Sequence, residues 1–200
     1  MKPKYLMLAM IFAAFACQNK DKTESKNIIE KIAEDTLSKT AAGTADVSDA
    51  PAKEDKTVEL IQKQLAVLLK KDLPAMTAKD RFFYYDAFDL NNDQKNEYFV
   101  GFSNPYFCGS GGCTAYLLNN DGSLINTFTV TDFPIYVTTL TTDNFYDLII
   151  KSGGKLHHIK MKNGKYPSNP SIEHEHKGAI PKEHTKVLDF AANKSEKYSF

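Results

Sequence analysis

From residue 82 onward the chain is written in short β-prone runs separated by turn signals, and this punctuation limits the fold more than any other feature. Phe82-Phe83-Tyr84-Tyr85-Asp86-Ala87-Phe88 is aromatic, and Glu97-Tyr98-Phe99-Val100-Gly101-Phe102 follows after a polar loop. Thr114-Ala115-Tyr116-Leu117-Leu118 and Ser123-Leu124-Ile125-Asn126-Thr127-Phe128 flank Asn120-Asp121-Gly122, a hairpin signal, because these residues tolerate the left-handed backbone of tight turns. Asp147-Leu148-Ile149-Ile150 and Leu156-His157-His158-Ile159-Lys160-Met161 flank Ser152-Gly153-Gly154 in the same way, and Asn163-Gly164 marks a third turn. Strands joined by such short connections run antiparallel, since a parallel partner needs a long crossover. The pattern predicts an antiparallel β-meander.

Ahead of the strands the period is helical. Ile61, Leu65, Leu68 and Leu69 fall on one face of a helix expected from Val58 to about Lys71. Thr57 can cap its start, Glu59 suits the positive end, Lys70 and Lys71 suit the last turn, and Pro74 prevents continuation. The stripe reads most simply as a core face. The expected fold class is α+β, an N-terminal helix followed by an antiparallel β-meander.

The first residues have a different logic. A basic start, Met1-Lys2-Pro3-Lys4, leads into an apolar run from Tyr5 to Ala16, which ends Ala14-Phe15-Ala16-Cys17 before polar residues. The run falls short of the roughly 20 apolar residues that span a membrane, and suits the core of a cleavable signal. The order of parts resembles a bacterial lipoprotein signal. The resemblance implies a signal peptide over residues 1–16 and a lipidated Cys17 as first mature residue, attached to the membrane through its acyl chains. Gln18 rather than Asp after the cysteine implies the outer membrane. An ordinary secretory signal cut near Ala16, leaving a free cysteine, is the alternative.

Residues 17–55 read as a lipidated, disordered tether, rich in Lys, Asp, Glu, Ser, Thr and Ala and nearly free of aromatics. Such a chain would hold the domain about 35 Å from its anchor, at roughly 5–6 Å times the square root of length. Ile28, Ile29, Ile32 and Leu37 could form a short amphipathic helix within it. Residues 56–200 are then one globular domain of ordinary size. Lys and Arg number 25, as do Asp and Glu, so no strongly basic face is implied and nucleic acid is not an expected partner.

Cys108 and Cys113 are an even pair in an exported chain, so a disulfide is expected. The glycines of Cys108-Gly109-Ser110-Gly111-Gly112-Cys113 supply the backbone angles so tight a loop needs. Four intervening residues exclude a thioredoxin-like pair, no zinc ligands accompany the cysteines, and Ser110 lacks the spacing of a nucleophile elbow.

The best chemical motif is Asp89-Leu90-Asn91-Asn92-Asp93-Gln94-Lys95-Asn96-Glu97. Ca²⁺ takes six to eight oxygen ligands, and alternating acidic positions in a curled loop can supply them. The motif resembles the calcium loop of FG-GAP repeats. Carried over, Asp89, Asn91, Asp93 and Glu97 would offer side-chain oxygens and Lys95 its carbonyl, while Gln94 stands where that family usually has glycine. The other reading is an Asx-rich turn closed by side chain to backbone hydrogen bonds. A weaker echo, Asp143-Asn144-Phe145-Tyr146-Asp147, places Asp147 where the first copy has Glu97, with Thr139 and Thr141 in place of its first acids, and should keep the turn without the metal.

His157 and His158 are adjacent in a strand and should point to opposite faces. His174, His176 and His184 are a weak metal signal, and Lys151, Lys155, Lys160, Lys162 and Lys165 make a hairpin locally basic. No carboxylate pair stands out as acid and base. The chain as a whole resembles small envelope lipoproteins: signal, polar tether, compact β-rich domain. The expected function is a membrane-anchored, non-enzymatic binding module for an envelope protein or glycan. Its candidate anchors are Tyr106 and Phe107 beside the disulfide loop, if these are not core residues. The alternative is an inhibitor of an envelope-degrading hydrolase such as lysozyme, and an enzyme is the third reading.

Overall fold

The computed structural model describes residues 56–192 and 196–200. Cys17, the leader, the tether and the Ile28–Leu37 stretch lie outside the described residues. A helix, α1 (Lys56–Leu68), precedes β1 (Phe82–Phe88), β2 (Glu97–Gly101), β3 (Cys108–Gly109), β4 (Gly112–Leu118), β5 (Leu124–Thr142), β6 (Phe145–Ser152), β7 (Lys155–Ile159), β8 (Thr185–Val187) and β9 (Tyr198–Ser199). The sheet runs β7-β6-β5-β4-β2-β1-β9, with β3 on β4 and β8 on β5, and every pairing is antiparallel. The α+β meander with a Cys108–Cys113 disulfide is therefore the observed class. Among the described residues no helix is long and apolar enough to cross a membrane.

α1 presents Ile61 and Leu65 inward, one helical turn apart, and both are buried. It ends at Leu68, before the expected Lys71, and Thr57 lies within its first turn rather than capping it. The chain then winds through Asp72 N→Leu69 O and Leu73 N→Leu69 O bonds into a single 3₁₀ turn, Leu73–Ala75, that carries Pro74 near its start.

β5 makes the fold more than a flat meander. Its first part pairs with β4, from Leu118↔Leu124 to Cys113↔Thr131, and its second with β6, from Asp132↔Lys151 to Thr142↔Phe145. β8 covers the other side of the second part at Ile135↔Val187. One core, including Phe99, Leu117, Phe128, Ile135, Leu148, Ile150 and Val187, draws on both parts. A second sets Ile61, Leu65 and Leu69 of the helical segment against Phe83, Val100, Phe102, Tyr116 and Leu118. Consecutive residues of β4 therefore serve different cores: Ala115 and Leu117 the first, Tyr116 and Leu118 the second. That is why β2 and β4 read as nearly continuous apolar runs rather than alternating ones. Each large side chain so buried contributes about 1.5–3 kcal/mol.

The partner exchange in β5 falls between Thr131 and Asp132, just after Val130, whose φ of 48° is a left-handed conformation that β-branched residues rarely adopt. The ladder carries a bulge there, between the Cys113 and Ala115 pairings. Gly112, at φ 123°, lies so close that a Cβ on it would come within 2.4 Å of the Val130 carbonyl carbon. The Ser152 hydroxyl donates to the Val130 carbonyl from β6. Pro134 follows in the gap between the Asp132 and Tyr136 pairings, where its missing N–H disturbs no ladder bond. Gly112→Ala should cost about 2–4 kcal/mol in urea unfolding, because backbone, not a flexible side chain, blocks the methyl group. Gly109→Ala, with open space around it, should cost under about 0.5 kcal/mol.

Candidate functional site

The acidic loop leaves β1 after Phe88 and returns at Glu97, and these two residues face each other in the ladder. Within it the Asp89 carboxylate accepts the Asp93 and Gln94 amides at 3.2 and 2.9 Å. Asn91 Oδ1 accepts the Asp93 amide at 3.0 Å, and Asp93 Oδ1 accepts the Lys95 amide at 2.8 Å. These are the Asx-type bonds of the second sequence reading. They leave lone pairs on every one of those oxygens, since each N–H engages one. Gln94, at φ 68°, adopts the left-handed conformation that glycine would take more easily.

Glu97 differs from the rest of the loop. Its side chain is 0% exposed; Oε2 accepts the Leu90 amide at 2.8 Å, and Oε1 has no partner. Burial, and then the nearby charges of Asp93 and Asp89, push its pKa above the ordinary 4.5. A buried carboxylate oxygen without a partner costs about 1–3 kcal/mol, more when ionised.

The loop is strapped to β6. Leu90 O accepts the Tyr146 amide at 2.9 Å, and the Tyr146 hydroxyl donates to Asn92 Oδ1 at 3.1 Å. The Tyr166 hydroxyl donates to Tyr146 O at 2.6 Å, and burial with Asp147 and Glu97 nearby pushes its pKa up. Neither tyrosine was legible as part of the site, because only long-range packing brings them there. The echo at residues 143–147 keeps a turn, with Asp143 at φ 50° and Asn144 at φ 64°, while Thr139 and Thr141 are exposed. It ends on a buried acid as the first loop does: Asp147 is 1% exposed, with Oδ2 at 2.9 Å from His158 Nε2 and Oδ1 without a partner.

Hard oxygen donors with no sulfur or imidazole among them suit a cation of the calcium type. The orphaned Glu97 oxygen fits such a group. Among the described residues no three His, Cys, Asp or Glu side chains converge to hold a metal. An ion at the loop would therefore draw also on Asn91 and the Lys95 carbonyl.

His157 and His158 do point to opposite sides: His157 is buried with Nδ1 at 2.8 Å from Glu173 O, while His158 meets Asp147. His174 and His176 lie on a strap beside β7, fixed by His158 N→His174 O and His176 N→Leu156 O. The His158–Asp147 contact is a carboxylate–imidazole pair, but its carboxylate is sealed from solvent.

The two aromatic anchors separate. Phe107 is buried in the helix-facing core, stacked on Phe102 with ring centroids 3.7 Å apart, so it is not an exposed anchor as expected. Tyr106 is 40% exposed, and its hydroxyl donates to Asp72 at 3.2 Å. Asn104, overlooked in the sequence, organises this turn: its side chain accepts the Tyr106 amide at 3.0 Å and donates to Asp80 O at 3.1 Å. The disulfide closes the hairpin above it, joining residues directly paired between β3 and β4.

Phe107→Ala should lower stability by about 3 kcal/mol in chemical denaturation, and Tyr106→Ala by under about 1 kcal/mol. For Glu97 the sign follows from its raised folded-state pKa. Its protonated form is favoured by the fold, so its contribution is fully present below about pH 4.5 and lost as pH rises through the higher folded value. With chelator present, the stability of the wild type relative to Glu97→Gln should therefore fall as pH rises above about 4.5. Compared with known proteins, the chain matches no family model, no curated protein and no solved structure.

Proposed function

We propose that this protein is an outer-membrane lipoprotein anchored through Cys17, whose domain is a non-enzymatic binding module for an envelope protein or glycan and takes calcium in the 89–97 loop. The observation that carries the calcium reading is the orphaned, fully buried Glu97 oxygen at the end of an acid-rich loop. Asp89, Asn91, Asp93, the Lys95 carbonyl and Glu97 would hold the ion. It would neutralise the mutual repulsion of the carboxylates and stiffen the loop against Tyr146. Tyr106, exposed beside the disulfide-closed turn, is the aromatic left to meet a partner. The anchor rests on the Lys2–Cys17 pattern alone.

Thermal unfolding of the chain from Gln18 onward tests the calcium reading. Several millimolar calcium should add about 1–2 kcal/mol, or several degrees in melting temperature, over chelator. The calcium-dependent increment should vanish in the Asp89→Ala, Asp93→Ala variant, whatever that variant does to the baseline. An equal increment in both proteins, or none in either, would remove the ion from the loop. The inhibitor reading retains one supporting feature, the exposed tip Gly109-Ser110-Gly111 on its disulfide-closed hairpin. It predicts inhibition of lysozyme by micromolar soluble protein, and an unchanged lysis rate would end it.

A further inference from the structure

The turn after β7 gathers lysines that have no counter-ion among the described residues. Ile159 and Met161 are buried and Lys160 and Lys162 exposed, so the two lysines share the outward face, about 6–7 Å apart. Lys162 and Lys165 then face each other in a two-way backbone pair, Lys162 N→Lys165 O at 2.8 Å and Lys165 N→Lys162 O at 3.2 Å. Asn163 at φ 53° and Gly164 at φ 75° close the turn tightly. Like charges placed directly opposite one another are unfavourable, and among the described residues none of the three ammonium groups ion-pairs with a carboxylate. Of the two acids on the strap, Glu175 is taken by Lys155 at 3.0 Å, while Glu173, next to Ile172, makes no ion pair among the described residues. Asp147, beside Lys160 by continuation of the Leu148↔Ile159 register, is buried and holds His158 instead.

A second observation narrows the ligand. The His157↔Glu175 bridge and the His158–His174 bond run the strap antiparallel to β7, and the 3₁₀ turn Pro170–Ile172 that leads into the strap packs against the same strand. Ile172 is 76% exposed, the most exposed large apolar side chain among the described residues. A soluble polyanion would use the lysines and have no use for Ile172. An anionic bilayer uses both: ammonium groups meet lipid phosphates while an apolar side chain enters the headgroup boundary.

We propose that the Lys160–Lys165 turn and Ile172 form a peripheral docking surface for an anionic phospholipid bilayer. It goes beyond the function proposed above and does not depend on calcium. If Cys17 is lipidated, the anchor would supply this surface at high local concentration.

The test is co-sedimentation of the chain from Gln18 onward, in EGTA, with phosphatidylcholine vesicles with and without phosphatidylglycerol. The wild type should bind only the anionic vesicles and should release them as salt is raised. Lys160→Gln, Lys162→Gln and Lys165→Gln together should cut binding about a hundredfold, and Ile172→Ser several-fold, with melting temperature unchanged. Lys70→Gln, Lys71→Gln and Lys79→Gln together, which remove equal charge elsewhere, should leave binding within about twofold. The proposal is overturned if the wild type ignores anionic vesicles, if the two triple variants behave alike, or if a phosphorylated polysaccharide retains the protein while vesicles do not.

Discussion

The close approach of Gly112 to the backbone of Val130 is the constraint on which both cores depend. Just beyond that point, between Thr131 and Asp132, β5 exchanges β4 for β6, and the bulge leading into the exchange sets a residue without a side chain on β4 against a left-handed residue on β5. The disulfide holds Cys113, next to Gly112, in register with Cys108, and Ser152 fixes the Val130 carbonyl from the far side. Because one strand serves both parts of the sheet, the inner faces of both contribute to a single core, which leaves the outer face of the first part free for α1. The tight glycine loop is thus a device for bending the sheet, and its small contribution to chain entropy matters less than its position.

Much of this was legible in the chain and some was not, for identifiable reasons. The hairpins at Asn120-Asp121-Gly122 and Ser152-Gly153-Gly154 were legible because short turns leave two strands no other neighbour. The helix was legible from its stripe, but its start lies two residues earlier than expected, with Thr57 inside the first turn, and its end was misplaced because Lys70 and Lys71 suit a last helical turn as well as the looser turn they occupy. The second part of β5 was invisible. No turn signal or alternating run marks residues 129–142, Pro134 lies among them, and a left-handed valine cannot be foreseen from its own side chain. Phe107 was ambiguous for a related reason: an aromatic beside a turn fits an exposed anchor or a core, and only the stacking partner Phe102 decides.

The acidic loop shows how local and long-range forces divide. Asp89, Asn91 and Asp93 are satisfied within the loop by amides a few residues away, so its curl is encoded where it stands. Glu97 is not settled in this way. Its place in the ladder opposite Phe88 buries it, and one amide cannot satisfy both of its oxygens. Asp147 repeats the situation at the end of the second turn, with His158 in the role Leu90 plays for Glu97. Two buried acids, each half satisfied, are a cost the hydrophobic cores must offset, and retaining them makes sense where something else completes their coordination.

The formal neutrality of the chain hides a charge distribution that couples the two proposed surfaces. The 150–187 stretch carries eight lysines against three glutamates, while the 86–97 stretch is dominated by acids. The fold does not keep these apart. Asn92 bonds Tyr146, Tyr146 bonds Tyr166, and Tyr166 follows Lys165 directly, so the acidic loop and the lysine turn are tied to the same end of β6. Among the described residues no ion pair joins them, so each acts on the other through its field, which salt screens over about 8–10 Å. Free carboxylates in the loop would weaken the attraction of the lysine turn for an anionic surface. A cation held in the loop would lift that opposition without moving a lysine. The strap through Tyr146 would then make the loop a tuner of the neighbouring surface.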